Sequence, residues 1–285
     1  MEEERIKELV KISNEREMLP EAVYHYTRKE NIKNIFQKEN LLIKLTEASK
    51  FDDKLEGKTC KKYYRRALKE LLKEGILSRE ERKVLKKIRI SKKPFLYREI
   101  NGERIMQSEQ FRTYVACFTT LYDARKMKIN YIKNGNHQGI CIKLIPRNLL
   151  DWIEEYENLG YIVSFEKVLY GREVVDYFKK TIINLIMITR DSKKNLFYMF
   201  VPGIIEEKLN NMQYRAKAKK YSWEKEYRII VHVPENEETP IFGKINEGLL
   251  INIKKYAQVG VTFCNMKNED IIDIKEKLNN NNYRV

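Results

Sequence analysis

The amino-acid sequence predicts an α+β fold with a mixed, mostly antiparallel central sheet and helical insertions. Runs rich in β-forming residues, such as "TYVACFTT" at 113–120 and "GICIKLI" at 139–145, indicate buried strands. Segments with the apolar spacing of helices alternate with them, and no repeat, low-complexity tract or long linker interrupts the 285 residues. We therefore expect one α+β domain that spans residues 1–285.

The first elements follow from local patterns. An amphipathic helix is predicted at the amino terminus, before the Leu-Pro step at 19 and 20. The stretch "AVYHYT" predicts a strand that gives way to a helix near Thr27, where Thr27 and Glu30 match a capping box. "LLIKL" at 41–45 predicts a second strand, which the acidic loop "FDDKLEG" follows.

The later elements repeat this alternation. Helices are predicted at about 147–157 and 173–208, with the strand "YIVSFEKVLY" between them. Two further strands, "EYRIIVHV" and "QVGVTF", lead to a closing helix that carries Ile271, Ile272, Ile274 and Leu278. These segments complete the expected sheet and its helical cover.

The net charge of +15 is concentrated in one segment, residues 58–99, which holds sixteen Lys or Arg against five Glu. Apolar spacing predicts a helical hairpin there, with Gly75 ending the first helix and "SREE" capping the second. We expect this basic hairpin to be an insertion within the domain. Its charge suits nucleic acid, an anionic membrane or a polyphosphate, and it equally fits a solvated helix pair. The expected nucleic-acid contacts are Lys61, Lys62, Arg65, Arg66, Lys86 and Lys87.

Other features of composition indicate a protein of the cytoplasm. The amino terminus has no signal-peptide pattern, and the longest apolar run, "IINLIMI", is too short to cross a bilayer. We expect no membrane partner. The four cysteines, at 60, 117, 141 and 264, lack the spacing of a zinc site or a disulfide scaffold, so we expect reduced and mostly buried thiols.

Period-two alternation assigns faces to the residues that could carry chemistry. His25 shares a face with Val23 and Thr27, whereas Tyr24 and Tyr26 lie opposite. A single strand histidine is most often a hydrogen-bonded structural residue. In "SWEKEYRIIVHV", alternate apolar residues including Ile229 form a core face. The opposite face carries a further set, which fits a solvated edge or a cleft: Glu224, Glu226, Arg228, Ile230 and His232.

Several segments together resemble a bacterial family, domain-of-unknown-function family 2971. The segments are "YHYT", "FDDKLEG", "ACFTT", "MKINY" leading to "HQGICIKL", "WEKEYRII", and "VGVTF" followed by a helix. They occur in this order over most of the chain. The family is linked in part with abortive-infection and phage-defence genes, so the resemblance implies a toxin or antiviral effector.

The same motif order is similar, more remotely, to the His-Tyr-Glu arrangement of ADP-ribosyltransferases. That resemblance implies an ADP-ribosyltransferase-like sheet and an enzyme that cleaves the nicotinamide glycosidic bond of NAD and modifies a macromolecular target. NAD would be the substrate, and a fixed carboxylate would stabilise the oxocarbenium-like centre as the bond breaks.

The resemblance also implies roles for individual residues. His25 corresponds to the residue that contacts a ribose of NAD, and Tyr26 and Thr27 belong to the same NAD-binding stretch. Tyr131 corresponds to the aromatic residue that stacks on nicotinamide, and Thr119 or Thr120 supplies a nearby polar contact. Glu226 corresponds to the catalytic carboxylate, and Glu224 to a residue that orients the acceptor.

Two alternatives remain open. The first is a metal-dependent nuclease, in which Asp52, Asp53 and Glu56 join Glu224 or Glu226 around Mg²⁺ while the basic hairpin holds phosphates. The second is a module without catalysis that binds nucleic acid or protein, with His25 and Glu226 as structural residues; through the basic hairpin its partner would be nucleic acid or a nucleic-acid-associated protein.

Overall fold

The protein is described by a computed structural model, which defines residues 19–37, 40–50, 56–90, 96–100, 103–107, 111–122, 125–132, 138–158, 161–189, 196–234, 243–245, 248–252 and 260–280. The fold is mixed α+β with a mostly antiparallel sheet, as the sequence predicts. The helices are α1 (Ile32–Ile35), α2 (Glu56–Lys73), α3 (Arg79–Lys87), α4 (Arg125–Tyr131), α5 (Leu149–Asn158), α6 (Arg172–Thr189), α7 (Leu196–Met212) and α8 (Asn268–Asn280). The strands are β1 (Val23–Arg28), β2 (Phe36–Gln37), β3 (Asn40–Glu47), β4 (Leu96–Ile100), β5 (Glu103–Gln107), β6 (Phe111–Thr119), β7 (Gly139–Leu144), β8 (Ile162–Lys167), β9 (Leu169–Tyr170), β10 (Ala216–Lys217), β11 (Glu226–Pro234), β12 (Gly243–Ile245), β13 (Gly248–Asn252) and β14 (Gly260–Cys264).

The chain divides into two compact units. The unit that we call the helical unit consists of Met1–Glu17, Asp52–Phe111 and Val168–Trp223. The other, the sheet unit, consists of Met18–Phe51, Arg112–Lys167 and Glu224–Val285. The expectation of one domain spanning residues 1–285 stays a prediction.

The sheet unit is built on a ten-stranded sheet in which β6 has three neighbours. The order is β12-β13-β3-β6-β1-β7-β14, and β11 pairs with β6 and with β8. A strand has only two edges, so two of the three neighbours of β6 share one edge. Strand β3 pairs beside Val115, and β1 pairs beside Thr119. One edge of β6 therefore pairs with β3 near Val115 and with β1 near Thr119.

Alternation along the strands places one apolar face of the sheet in a continuous core. Leu41, Ile43 and Leu45 alternate along β3, and all three are fully buried. Trp152 of α5 packs into the same cluster. Burying one such side chain contributes about 1.5–3 kcal/mol, so the apolar residues of this face together stabilise the unit. Ile229 and its alternate neighbours on β11 belong to this core, as the sequence predicts.

The helical unit has a separate core, in which α2, α3, α6 and α7 contribute apolar side chains. Tyr64 and Leu71 of α2 and Phe178 of α6 are buried in it. The rings of Tyr64 and Phe178 lie edge to face, with their centroids 5.1 Å apart. Strands β9 and β10 pair in parallel, and Leu169 and Ala216 contribute to this core.

The turn between α2 and α3 has the chemistry that the sequence predicts. Gly75 has φ of +72°, a left-handed conformation that glycine adopts without steric cost. The amide of Ile76 donates to the carbonyl of Leu71, which closes the end of α2. Ser78 accepts a hydrogen bond from the amide of Glu81, whose side chain accepts from the Ser78 amide, so the capping box is confirmed.

Other local predictions are wrong. Thr27 does not cap a helix, because β1 continues to Arg28 and the Thr27 hydroxyl accepts a hydrogen bond from Asn31 instead. The long helix predicted at 173–208 is two helices, α6 and α7. The sequence pattern also missed α4 and the antiparallel pair of β4 and β5, since these segments are short and strongly charged.

Some expectations concern residues outside the described part. The amino-terminal helix and most of the loop "FDDKLEG" fall there. Within the described residues, no helix combines the length and apolar character needed to cross a membrane. The four cysteines are free thiols, of which Cys60, Cys141 and Cys264 are buried and Cys117 is half-buried.

Candidate functional site

Three segments that are far apart in sequence meet in the sheet unit where β6 ends. Tyr24 of β1 lies directly opposite Thr119 of β6. On the β11 side, the amide of Thr120 donates to the carbonyl of Lys225 over 3.1 Å, and the hydroxyl of Thr119 donates to the carbonyl of Glu224 over 2.5 Å. These hydrogen bonds bring the start of β1, the end of β6 and the start of β11 together.

His25 of β1 lies beside the part of β6 between Thr119, which pairs with β1, and Val115, which pairs with β3. Its Nδ1 is 3.0 Å from the carbonyl oxygen of Cys117, and its ring centroid is 5.6 Å from that of Phe118. A carbonyl can only accept, so Nδ1 carries the proton, and Nε2 is the hydrogen-bond acceptor of the neutral ring. Burial lowers the pKa of His25 below its usual value, which favours this neutral form near pH 7.

The neighbours of His25 on β1 are occupied by structural contacts. The hydroxyl of Tyr26 donates to the carbonyl of Leu121 over 2.9 Å, and Thr27 accepts from Asn31 over 3.1 Å. Both side chains are buried. These contacts fix both side chains at the end of the strand, and their predicted role in NAD binding stays a prediction.

Thr119 and Thr120 join β6 to β11. Besides donating to Glu224, the Thr119 hydroxyl accepts a hydrogen bond from the amide of Leu121 over 3.1 Å. Thr119 is 1% exposed, whereas Thr120 is half-buried. The local arrangement makes Thr119 a fixed part of the framework and leaves Thr120 nearer to solvent.

The two glutamates at the start of β11 are buried, which excludes the solvated edge that the sequence also allowed. Glu224 is 7% exposed and Glu226 is 3% exposed. The Oε1 atom of Glu226 accepts from Nε of Arg228 over 2.7 Å, and Arg228 is only 2% exposed. A carboxylate held in this way has a fixed position and a strong local field, because little water screens it.

One polar contact shows which side chains of β6 and β11 lie on the same face of the sheet. The hydroxyl of Thr113 lies 2.9 Å from Nδ1 of His232, so these two side chains share a face. Period-two alternation then places Thr119 on the same face as Glu226. Tyr24, directly opposite Thr119, also lies on this face.

The side chain of His25 lies on the opposite face of the sheet. It follows Tyr24 by one residue, and its ring contacts Phe118, which belongs to the apolar core. The structure therefore brings His25 and Glu226 to strands that flank β6, but it places their side chains on opposite faces of the sheet. A ligand that touches both must lie across the ends of these strands.

The backbone between the two glutamates is strained. Lys225 has φ of +46°, in the left-handed region that side chains with a Cβ rarely adopt. Its carbonyl is the acceptor for Thr120. Strain of this kind concentrates at functional sites, where the surrounding contacts enforce it.

The remaining predicted residues of the transferase and nuclease hypotheses are not defined in detail. Tyr131 ends α4, but its side chain is outside the described part, as are Asp52, Asp53 and the side chain of Glu56. Among the residues that the structure describes, no group of three His, Cys, Asp or Glu is arranged to hold a metal ion. The predicted nuclease centre lies mostly outside the described residues and stays a prediction.

The predicted nucleic-acid contacts lie in the helical unit, and four of the six line one pocket. These four are Lys61, Arg65, Lys86 and Lys87, and the pocket also includes Ile88 and Arg89. Lys62 is exposed outside this lining, and Arg66 forms an ion pair with Glu70. Sequence reasoning missed Arg89, although it lies only two residues after Lys87, the basic end of α3.

Comparisons of the chain with models of protein families, with curated proteins and with solved structures found no match. The resemblance to family 2971 thus rests on the sequence motifs alone.

Proposed function

We propose that the protein is a cytoplasmic NAD-dependent ADP-ribosyltransferase-like toxin or phage-defence effector, related to family 2971 and with the corresponding fold. One observation carries the proposal: hydrogen bonds at the end of β6 bring together the segments that contain His25, Thr119 and Glu226. These are the segments to which the resemblance assigns NAD binding and catalysis.

The proposed chemistry centres on Glu226. Cleavage of the nicotinamide glycosidic bond leaves positive charge on the ribose, and a fixed carboxylate stabilises that charge. Arg228 holds the carboxylate in position, and the neighbouring Glu224 is the proposed acceptor-orienting residue. His25 offers Nε2 as an acceptor for a ribose hydroxyl, because its Nδ1 is committed to Cys117.

Burial places a requirement on this mechanism. Since Glu226 is 3% exposed, NAD can reach its carboxylate only if the site opens when the substrate binds. His25 and Glu226 act on the same NAD molecule only if it extends across the strand ends. Tyr131 is the proposed stacking residue for nicotinamide.

The test compares nicotinamide release from NAD by the wild type, Glu226→Gln and Arg228→Lys. Both variants disturb the same ion pair, but only Glu226→Gln removes the carboxylate. Loss of a transition-state electrostatic contact costs about 10²–10³ in rate. We expect that loss for Glu226→Gln per folded molecule, whereas Arg228→Lys retains most of the activity. Equal release by Glu226→Gln and the wild type would refute the role of Glu226.

A second candidate function is binding of nucleic acid, or of a nucleic-acid-associated protein, through the basic segment 58–99. Its support is the sixteen basic residues in that segment, five of which line the pocket on α2 and α3. The test measures RNA and DNA binding across a salt series. Replacing the six predicted contacts with Gln should weaken binding and flatten the salt dependence, and an unchanged slope would show that the segment is only a solvated surface.

A further inference from the structure

The helical unit contains a pocket in which positive charge converges from two helices. It has a volume of about 630 Å³. Lys61 and Arg65 enter it from α2, and Lys86, Lys87 and Arg89 from the end of α3 and the residues after it. Ile88 is the sixth lining residue. The described lining thus contains five cations and neither a carboxylate nor an aromatic ring.

The described carboxylates form no ion pair with these cations. Within the described residues, none of the five takes part in an ion pair, whereas Arg66 on the same helix pairs with Glu70. Glu70 also pairs with Arg172. The carboxylate of Glu70 therefore compensates cations outside the pocket. Five like charges around one concavity repel each other, and a bound anion would relieve that repulsion.

A buried hydrogen bond fixes the two sides of the pocket. The hydroxyl of Tyr64 on α2 donates to the carbonyl of Leu85 on α3 over 2.9 Å. Lys61, Tyr64 and Arg65 share a face of α2, because they are spaced by three and four residues. Leu85 immediately precedes Lys86 and Lys87. The hydrogen bond therefore holds the cations of α3 beside those of α2.

We propose that this pocket binds a triphosphate group, either free or attached to a nucleoside. The volume lies within the range of about 300–1,000 Å³ that is typical of small-ligand sites. Several cations that face one concavity suit consecutive phosphates, because each phosphate oxygen accepts charge-assisted hydrogen bonds from Lys or Arg. The lining offers no aromatic surface for a base, so the phosphates are the recognised part. This site lies in the helical unit and does not depend on the proposed transferase activity.

The experiment is calorimetric titration of the full chain with inorganic tripolyphosphate, ATP, orthophosphate and a short RNA that has a 5′-hydroxyl end. We expect tripolyphosphate and ATP to bind with similar affinity, and both at least about tenfold more tightly than orthophosphate, because they engage more cations at once. Similar affinities for the two ligands would show that the nucleoside contributes little. ATP binding without tripolyphosphate binding would overturn recognition of the phosphates.

Two double variants distinguish tripolyphosphate binding by the pocket from attraction by the general surface charge. Lys61→Gln/Lys86→Gln removes one lysine of the pocket from each helix, and Lys73→Gln/Lys83→Gln removes one exposed lysine outside its lining from each helix. We expect the pocket variant to weaken tripolyphosphate binding at least about tenfold and the control variant to change it less than about threefold. Circular dichroism of both variants serves to check that they are folded.

Several outcomes would overturn the proposal. Equal weakening by the two variants would mean that net charge alone attracts the ligand. Absence of tripolyphosphate binding by the folded wild type would mean that the pocket is not a phosphate site. RNA binding that is tighter than tripolyphosphate binding and equally reduced in both variants would assign the basic surface to nucleic acid instead.

Discussion

Glu226 and Arg228 form an ion pair between neighbouring positions on one face of β11, and both side chains are almost completely buried. Residues i and i+2 of a strand point in the same direction, so the pair needs no other element to set its geometry. Burying two charges costs several kcal/mol, and their attraction offsets this cost only while both are present.

The ion pair gives the first prediction. Arg228→Gln should destabilise the protein by about 3–5 kcal/mol, because it leaves the Glu226 carboxylate buried without its guanidinium. The double variant Glu226→Gln/Arg228→Gln should lose less than the sum of the two single variants. Urea unfolding measures all three. Additive losses would show that the two side chains do not stabilise each other.

The second prediction concerns Tyr64. Tyr64→Phe removes the hydroxyl that donates to the Leu85 carbonyl and should lower the free energy of unfolding by about 1–3 kcal/mol. Burial raises the pKa of Tyr64, so the hydroxyl remains protonated as a donor. If this contact positions Lys86 and Lys87, tripolyphosphate affinity should fall as well. Tyr63→Phe, on the half-buried neighbour, is the control. Unchanged stability in Tyr64→Phe would contradict the structural role of this hydrogen bond.

The third prediction concerns pH. Burial lowers the pKa of His232 from 6.5 to about 4. The unfolded chain therefore binds a proton between these values that the folded chain does not, and stability falls as the pH drops below 6.5. From pH 7 to pH 5 this histidine should account for about 2 kcal/mol of lost stability.

His232→Asn tests this assignment, because it keeps a polar side chain beside Thr113 but cannot titrate. Urea unfolding at pH 7 and pH 5 should show a smaller pH-dependent loss in the variant than in the wild type. The same loss in both proteins would assign the pH dependence to other groups.

The fourth prediction concerns the strained residue between the two glutamates. Lys225→Asn should stabilise the protein by about 0.5–1 kcal/mol, because asparagine tolerates the left-handed conformation better than lysine. Lys219→Asn is a surface control in the neighbouring sequence. Thermal unfolding compares the two, and a loss of stability in Lys225→Asn alone would mean that the Lys225 side chain makes a stabilising contact.

Much of the fold follows from local sequence. The strands around Ile43 and Ile142 and the capping box at Ser78 are predictable because periodic burial and capping depend on nearby residues. The end of β1 is not, because the strand continues to Arg28 through its pairing with β7, in which Thr27 lies opposite Ile140. Local pattern favours a helix cap there, and strand pairing overrides it.

The candidate site is harder to predict than the strands that form it. Alternation correctly assigned Glu226 and Arg228 to one face, but it could not decide between solvent and burial, since that depends on what covers the face. The opposite orientations of His25 and Glu226 follow only from the register in which β1 and β11 flank β6. A motif order along the chain carries no information about this register.

The three-partner strand β6 also has a consequence for how the chain folds during synthesis. Strands β1 and β3 leave the ribosome long before β6, and β11 follows more than a hundred residues after it. Until β11 emerges, one whole edge of β6 has no partner within the nascent sheet. Unpaired strand edges promote association between chains, so the interval before residue 234 is translated is when this protein most needs protection from aggregation.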